Sequence, residues 1–327
     1  MTSAAITSSL ERLTPAAVAE VEQVIRPHIR VTPTVTIDRA ELGLPAGALT
    51  FKLEFLQHSG SFKARGAFTN LLFRGVPAAG VVAASGGNHG AAVAYAASVV
   101  GVPARVFVPE VSSPAKVARI RGYGAELVVT GETYSEALAA SRDWALDSGA
   151  LQVHAFEQTE TILGAGTTGL ELIRQAPEVT TVLAAVGGGG LLAGLATAYA
   201  DTETVGRVRI IGAEPYGAPT MTLALAAGRP VDAPAGSIAV DSLAPRQVGQ
   251  LTLAVAERRV HSVYLVSDDE ILGAQRLLWD RLRIVAEPGA CAPLAALLSG
   301  RCPAAASEHV AVVLSGANTT AVDLSPR

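Results

Sequence analysis

The chain has 327 residues, half of them hydrophobic and 17% charged, so it can bury one large core or two smaller ones. The formal net charge is −4 and the basic residues are dispersed, which argues against a nucleic-acid partner. Cys291 and Cys302 show neither metal-site spacing nor a disulfide framework, and the first residues lack the pattern of a signal peptide. We therefore expect a cytoplasmic protein.

The N-terminal part contains two helix signals and one strand signal. Thr14 followed by Pro15 is typical of a helix start, and a helix is predicted from there to Pro27. An apolar strand is predicted over residues 51–56. A turn of small residues follows, and the next helix is predicted to open at Phe62.

From residue 81 to residue 156 strand and helix patterns alternate. The predicted strands cover residues 81–85, 104–109, 125–130 and 151–156. The predicted helices cover residues 91–100, 114–122 and 134–148. This alternation predicts a parallel sheet with right-handed crossovers.

The same alternation restarts at residue 162. The predicted helices cover residues 162–175, 191–200, 219–227, 268–282 and 293–299. The predicted strands cover residues 181–186, 208–215, 251–255, 261–266 and a last apolar run at 309–318 that ends in a loop of small residues. Residues 233–246 carry no regular pattern, and we predict an irregular segment there.

One stretch, residues 180–200, has no charge and is long enough to span a bilayer. Four consecutive glycines at its centre would break a helix, and irregular backbone is not tolerated against lipid. A buried strand followed by a buried helix gives the same apolar run, so we predict no membrane segment.

Lys63 stands in the first turn of the helix that opens at Phe62, and the chain has only two other lysines, Lys52 and Lys116. A cation there faces the positive end of the helix dipole, which is unfavourable. A neutral amine, or a lysine consumed in an imine with a carbonyl cofactor, avoids this cost. For an isolated lysine the ordinary interpretation is a solvated surface side chain, so Lys63 needs support from the rest of the chain.

Two glycine-rich loops, which we name the first glycine loop (residues 85–90) and the second glycine loop (residues 187–190), each follow an apolar strand and precede an alanine-rich helix. Glycines let backbone N–H groups converge, and the helix directs its positive end toward a ligand. The pair of loops suits two anions, for example a cofactor phosphate and a substrate carboxylate. His89 lies in the first loop, but a lone loop histidine is ordinarily packed or hydrogen-bonded.

A nicotinamide-dependent oxidoreductase is an alternative interpretation. Gly188, Gly190 and Ala193 fit the pattern G-x-G-x-x-A after a strand, and Glu214 ends the next strand where an acid could bind a ribose. This interpretation leaves Lys63 and the first glycine loop without a role. The sequence contains no G-x-S-x-G nucleophile motif and no histidine pair with metal-ligand spacing.

Seven short motifs occur in an order that is similar to one enzyme family. They cover residues 59–67, 85–90, 164–171, 187–191, 212–215, 287–290 and 314–318. Together they resemble the serine/threonine dehydratases (threonine ammonia-lyases), which are fold-type II pyridoxal-phosphate enzymes. The motifs extend over nearly the whole chain.

The resemblance implies roles for individual residues. Lys63 would form the imine with pyridoxal 5'-phosphate, Phe62 would pack beside its ring, and Ser315 would meet the pyridine nitrogen. Asn88 would contact the 3-oxygen of the ring. Backbone amides would hold the phosphate at Gly187, Gly188, Gly189, Gly190 and Leu191. Other amides would hold the substrate carboxylate, at Ser85, Gly86, Gly87, Asn88 and His89.

The resemblance also implies an α/β architecture of two open twisted parallel-sheet domains, as in the tryptophan synthase β subunit. The large, cofactor-binding domain would contain residues 1–75 and 159–327, with residues 76–158 inserted as a small domain. We expect a homodimer, since this is the commonest oligomer of soluble enzymes.

The implied activity is the β-elimination of L-threonine or L-serine, which gives 2-oxobutanoate or pyruvate and ammonia. Alternatives within the family are a lyase for 3-hydroxyaspartate or for an ectoine-derived substrate, and a serine racemase-like enzyme. A non-catalytic ligand-binding protein of the same fold also stays open.

Two departures from the family pattern bear on the activity. Related racemases carry a serine base where this chain has Gly86, so efficient racemisation is not expected. Family members that bind Mg²⁺ or Ca²⁺ use a glutamate, a carbonyl and an aspartate. Glu214 and Ala218 fit the first two positions, but Thr220 replaces the acid, which would leave a weak cation site.

Overall fold

The computed structural model describes residues 3–110, 112, 114–200, 208–243 and 245–319. In this part of the chain helices and strands alternate. The α-helices are α1 (Ser3–Arg12), α2 (Pro15–Ile25), α3 (Lys63–Phe73), α4 (Asn88–Val100), α5 (Pro114–Gly122), α6 (Tyr134–Ser148), α7 (Thr159–Gln175), α8 (Gly190–Ala198), α9 (Thr220–Ala227), α10 (Val240–Leu243), α11 (Gln250–Arg259), α12 (Asp268–Leu282) and α13 (Pro288–Leu298).

The strands form two separate sheets. They are β1 (Thr34–Asp38), β2 (Ala48–Lys52), β3 (Val81–Ala84), β4 (Ala104–Val108), β5 (Glu126–Val129), β6 (Leu151–Gln152), β7 (Thr181–Ala185), β8 (Arg209–Pro215), β9 (Ser262–Val266) and β10 (Val310–Val313). The six-stranded sheet has the order β1-β2-β10-β7-β8-β9, and the four-stranded sheet has the order β5-β4-β3-β6.

All neighbouring strands are parallel except β1 and β2, which pair antiparallel at one edge of the larger sheet. The predicted fold class, α/β with two parallel-sheet units, is therefore confirmed. The four strands of the smaller sheet lie within residues 76–158, the segment assigned to the small domain. The domain boundaries themselves stay a prediction.

One predicted strand is wrong: residues 251–255 are helical and belong to α11. The alternation of apolar residues there suggested a strand, but Leu251 and Val255 also stand one helical turn apart, and both are buried. The carboxylate of Glu157 accepts a hydrogen bond from the backbone N of Leu251 (2.8 Å), which satisfies an amide of the first helical turn. This contact comes from a distant part of the chain.

Several predicted strands are shorter than expected. Pairing in β2 ends at Lys52, and Glu54–Leu56 form a 3₁₀ turn because Glu54 points inward and binds Arg65 (2.8 Å). Only Leu151–Gln152 pair in β6, and β10 ends at Val313.

Three helices and one edge strand also differ from the predictions. The helix predicted over residues 293–299 begins earlier, because Pro288 takes the first helical position, where its missing N–H costs nothing. The irregular segment at 233–246 contains the short helix α10. The edge strand β1 and the helix α1 had no predicted counterpart, since the exposed residues of β1 give no clear alternation.

The helices α7 and α8 approach each other at backbone distance. A Cβ on Gly194 would lie 2.6 Å from the backbone N of Gly166, so only glycine allows this contact. The contact fixes α8, which follows the second glycine loop, against the core. The apolar run at 180–200 is thus the strand β7 and the helix α8. No helix among the described residues is both long and apolar enough to cross a membrane.

The carboxyl ends of three strands place the predicted functional loops. The first glycine loop follows β3, the second glycine loop follows β7, and Ser315 follows β10. Open parallel sheets bind ligands at this end of their strands.

Candidate active site

A cavity of about 540 Å³ brings the predicted cofactor and substrate residues together. Its walls come from both sheets. The predicted residues in its lining are Phe62, Lys63, Ser85, Gly86, Gly87, Asn88, His89, Gly187, Gly188, Gly189, Gly190, Leu191 and Ser315. Glu214 and Ala218, the predicted weak cation site, are not part of this lining. The cavity size suits a cofactor with a small substrate.

Lys63 lies in the first turn of α3, as predicted, although the helix begins at Lys63 itself and not at Phe62. Its Nζ donates a hydrogen bond to the carbonyl oxygen of Ala155 (2.6 Å) and lies 5.0 Å from the centroid of the Phe62 ring. Protein surrounds the side chain except on its cavity side, and this desolvation lowers the pKa of Lys63 to about 8, against a smaller opposing effect of the Glu287 carboxylate. A lowered pKa favours the neutral amine, which is the nucleophilic form.

The second glycine loop is shaped so that its amides remain available to a ligand. The carbonyl oxygen of Gly187 accepts a hydrogen bond from Thr220 Oγ1, and that of Gly188 accepts one from Thr252 Oγ1, both at 2.8 Å. Gly189 has φ +89°, which favours glycine. The loop leads into the N-terminus of α8, where helix amides lack intrahelical partners. This arrangement suits a phosphate.

The first glycine loop lies at the N-terminus of α4, which is the arrangement expected of a second anion cradle. Its backbone is closely covered: a Cβ on Gly86 would lie 2.3 Å from Ser112 Oγ, and one on Gly87 would lie 3.1 Å from the carbonyl oxygen of Asp241. The hydroxyl of Ser85 accepts a hydrogen bond from the N of Gly87 (3.1 Å) and so stabilises the turn. Amides at this helix start suit a carboxylate.

His89 is buried behind the first glycine loop. Its Nε2 lies 2.9 Å from the carbonyl oxygen of Val153, which can only accept, so this nitrogen carries the proton. Burial, followed by the charge of Lys63, lowers the pKa of His89 to about 3. His89 is therefore neutral at physiological pH, and its side chain is a structural donor rather than a proton acceptor.

The loop after β10 is joined to the turn before Lys63. The backbone N of Phe62 donates to the carbonyl oxygen of Ser315 (3.0 Å), and the N of Ala317 donates to that of Gly60 (3.1 Å). These hydrogen bonds hold Ser315, which is largely buried, at a fixed distance from the start of α3.

Two residues that contact Asn88 were quoted in motifs but had no predicted role. Asn88 Nδ2 donates to Glu287 Oε1 (2.7 Å), and Asn88 Oδ1 accepts from Asn318 Nδ2 (2.7 Å). Their presence in the motifs at residues 287–290 and 314–318 was the available signal.

The individual residues of the outer wall of the cavity were not predicted. It contains Pro109, Ser112, Tyr134, Val240, Asp241, Ser242 and Pro245. Several of these residues belong to the segment predicted as irregular, and no local pattern indicates that α10 turns toward the cavity.

Glu214 is buried at the end of β8, and its carboxylate is occupied by hydrogen-bond donors. It accepts from Met221 N (2.6 Å), Thr222 N (2.9 Å) and Thr222 Oγ1 (2.8 Å), and its Oε1 lies 2.9 Å from Thr220 Oγ1, whose single hydrogen is shared with the carbonyl oxygen of Gly187. A carboxylate that caps α9 in this way is not presented to a ribose, which weakens the oxidoreductase alternative. Within the described residues no group of three or more histidine, cysteine or acidic residues is placed to hold a metal ion.

Residues 25–316 match the family described as "Pyridoxal-phosphate dependent enzyme". The chain is 39% identical over 305 residues to an L-threonine ammonia-lyase of Geobacter sulfurreducens, covering 92% of this chain and 74% of that protein. It is also 39% identical over 308 residues to a phenylserine dehydratase of Ralstonia pickettii, covering 93% of each. Maize serine racemase has a similar structure, with TM-score 0.86 and 32% identity over 95% of this chain and 94% of that chain. The chain therefore belongs to the fold-type II pyridoxal-phosphate-dependent enzymes.

Proposed function

We propose that this enzyme catalyses β-elimination of a hydroxy-amino acid, L-threonine or L-serine, and releases ammonia with 2-oxobutanoate or pyruvate. The observation that carries the proposal is the placement of Lys63, with its lowered pKa, in one cavity with two anion cradles. Two relatives that are 39% identical are named as an L-threonine ammonia-lyase and a phenylserine dehydratase, which supports elimination rather than another reaction of the family.

The residues present fit pyridoxal phosphate. Lys63 supplies an amine with a lowered pKa, and the glycines of the second glycine loop allow a close approach to Phe156, Met221 and Thr252 that a Cβ would prevent. Asn88 and Ser315 offer an amide and a hydroxyl for the ring oxygen and the ring nitrogen. When bound, pyridoxal phosphate supplies a carbonyl for imine formation and a ring that stabilises negative charge at the substrate Cα.

The chain's own residues would then act on the substrate as follows. The amides of the first glycine loop bind the carboxylate and orient the Cα–H bond. Lys63 Nζ takes the proton from Cα, and the hydrogen bond to Ala155 O holds Nζ in place. The resulting ammonium can return this proton to the departing β-hydroxyl. His89 cannot do this, because its pKa of about 3 keeps it neutral and its N–H is bound to Val153 O.

The cavity lining favours a substrate with a single carboxylate. Among the described residues that line it, none is an arginine, and the one carboxylate is that of Asp241. A second carboxylate, as in 3-hydroxyaspartate, would therefore lack a cationic partner and would be repelled by Asp241. Tyr134 and Val240 offer apolar surface for the β-substituent.

Gly86 argues against racemisation as the main activity. It carries no side chain that could exchange a proton, and a Cβ there would collide with Ser112 Oγ. The similarity to maize serine racemase supports the fold and the cofactor, but Gly86 supplies no side-chain base for the second face of the substrate.

We also propose that no divalent cation is required at Glu214, because donors on Met221, Thr222 and Thr220 already surround the oxygens that a cation would need. A homodimer and a cytoplasmic location are proposed from composition and general frequency alone. Size-exclusion chromatography with light scattering would test the dimer.

The function is tested by measuring ammonia release from L-threonine, L-serine, phenylserine and 3-hydroxyaspartate. We expect turnover of L-threonine and L-serine and little turnover of 3-hydroxyaspartate. The purified protein should carry an absorbance band that borohydride removes, and Lys63→Ala should lose both the band and the turnover. Binding of NADH by a colourless protein would contradict the proposal. Chiral analysis of residual serine separates elimination from racemisation.

A further inference from the structure

Asn318, in the loop after β10, makes hydrogen bonds that permit only one orientation of its amide. Its Nδ2 donates to the carbonyl oxygen of Ser59 (2.8 Å) and to Asn88 Oδ1 (2.7 Å). Its Oδ1 accepts from Nη1 of Arg119. A carbonyl cannot donate and a guanidinium cannot accept, so exchanging the oxygen and the nitrogen of Asn318 would break all three contacts.

The orientation of Asn318 determines that of Asn88. Asn88 presents Oδ1 to Asn318 and donates from Nδ2 to Glu287 Oε1 (2.7 Å). Turning the Asn88 amide over would place two N–H groups against each other at Asn318 and two oxygens against each other at Glu287. Asn88 is thus held at both ends, and its remaining N–H is the donor that it can offer inside the cavity, which it lines.

The turn before Lys63 is shaped around Asn318. Ser59 has φ +59°, an unfavourable conformation for a residue with a side chain, and Gly60 has φ +77°. A Cβ on Gly60 would lie 2.4 Å from Asn318 Oδ1. The same amide therefore contacts the turn that precedes the lysine, the helix start that carries Asn88, and, through Arg119, the helix α5.

We propose that Asn318 is a positioning residue for the cofactor: it fixes the amide of Asn88 so that an N–H, and not a carbonyl oxygen, faces the 3-oxygen of pyridoxal phosphate. The inference rests on the proposed function, in which Asn88 contacts that oxygen. A fixed N–H donor selects an ionised ring oxygen, since hydrogen bonds to ionised acceptors are the stronger ones.

The test compares two ligands on the full chain after removal of bound cofactor: pyridoxal phosphate and 3-deoxypyridoxal phosphate, which lacks the ring oxygen. Asn318→Asp preserves size but replaces the N–H donor with oxygen, so Ser59 O and Asn88 Oδ1 each face an acceptor. We expect its Kd for pyridoxal phosphate to rise about tenfold, and its Kd for the 3-deoxy compound to change by less than about twofold.

Asn70→Asp is the matched control. Asn70 is buried on α3 and donates to Gly66 O and Thr161 Oγ1 (both 2.9 Å), outside the cavity lining. Any effect of this substitution should be equal for the two ligands. Equal weakening of both ligands by Asn318→Asp, or no weakening of either, would overturn the inference.

A second variant keeps the test decisive if Asn318→Asp fails to fold. Arg119 is exposed, and Arg119→Met removes one donor to Asn318 without touching the cavity. It should raise the Kd for pyridoxal phosphate by about threefold and leave the Kd for the 3-deoxy compound unchanged; an unselective effect contradicts the inference. Failure of the wild-type chain to bind pyridoxal phosphate would instead contradict the proposed function.

Discussion

The ring of Phe156 occupies the space that a side chain on Gly188 would need. A Cβ on Gly188 would lie 2.2 Å from two ring carbons of Phe156, and a Cβ on Gly190 would lie 3.0 Å from the Cβ of Phe156. Phe156 follows β6 of the smaller sheet, whereas the second glycine loop follows β7 of the larger one. The second glycine loop, the proposed phosphate cradle, is therefore packed against a residue that follows a strand of the other sheet.

This contact predicts that Gly188→Ala weakens pyridoxal phosphate binding by at least about tenfold, because the loop must move away from an aromatic ring and its amides lose their common direction. Titration of the cofactor-free protein, followed by absorbance, measures the change. The control is Gly273→Ala in α12, whose added Cβ meets nothing within 4 Å. It should leave binding unchanged and stabilise the fold by about 0.5–1 kcal/mol. Wild-type affinity in Gly188→Ala would show that the cradle does not bind the phosphate.

Lys63 predicts the pH dependence of imine formation. Its pKa is lowered to about 8, chiefly by desolvation, so the reactive neutral amine accumulates as the pH rises through about 8 rather than through the value of a free lysine. Stopped-flow absorbance on mixing the cofactor-free protein with pyridoxal phosphate should give a rate that rises to a plateau above this pH.

The charge of Glu287 opposes this lowering of the Lys63 pKa. Glu287→Gln should therefore move the midpoint of the rate profile to lower pH. If the wild-type rate profile instead has its midpoint at the pKa of an exposed lysine, burial does not activate Lys63.

Local motifs explain why much of this site could be predicted from sequence. The Lys63 turn, both glycine loops and Ser315 are short stretches in which neighbouring residues determine the backbone shape. The contact between Asn88 and Asn318 joins residues 230 positions apart. It depends on how α4 and the β10 loop meet, which no local pattern records.

The segment at residues 251–255 shows a different limit. Alternating apolar residues there fit a strand, yet the partner that decides the outcome, Glu157, lies 94 residues earlier. The outer wall at α10 could not be placed for the same reason. Fold class follows from repeated patterns, whereas the walls that select the substrate follow from long-range packing.

Arg65 predicts a large loss of stability. Arg65 lies two residues after Lys63 and is fully buried. It forms ion pairs with Glu54 (2.8 Å) and Glu171 (2.9 Å), and Lys52 forms a further ion pair with Glu171 (2.7 Å). Glu171 has a pKa lowered to about 2, through Arg65 and Lys52 acting against desolvation. Arg65→Met leaves two buried carboxylates short of a partner, so we expect a loss of about 3–5 kcal/mol in the free energy of unfolding.

The matched comparison for Arg65 is Arg246→Met, which removes an exposed ion pair with Asp232. It should cost no more than about 1 kcal/mol. Urea denaturation at neutral pH measures both variants. Similar losses in the two variants would mean that the buried network does not stabilise the fold.

The hydrogen bonds of Glu214 predict independence from divalent cations. Thr220 Oγ1 lies 2.9 Å from Glu214 Oε1 and 2.8 Å from the carbonyl oxygen of Gly187, so its one hydroxyl hydrogen links the carboxylate to the second glycine loop without a metal. Excess EDTA should leave the rate of ammonia release unchanged. Millimolar Mg²⁺ or Ca²⁺ should shift the Tm by less than about 1 °C, because a ligand that does not bind the native state cannot stabilise it.

The variant Thr220→Asp tests the same prediction from the opposite direction, because it should create a response to cations. The substitution removes the hydroxyl and places a second carboxylate beside Glu214, whose pKa burial already raises. Two buried carboxylates repel each other, so the variant should melt at a lower temperature in EDTA. With Glu214 and the backbone near Ala218 it also supplies oxygen ligands that a hard cation prefers. Mg²⁺ or Ca²⁺ should therefore restore several degrees of Tm in the variant and none in the wild type. A cation response in the wild type would show that Thr220 does not replace the metal.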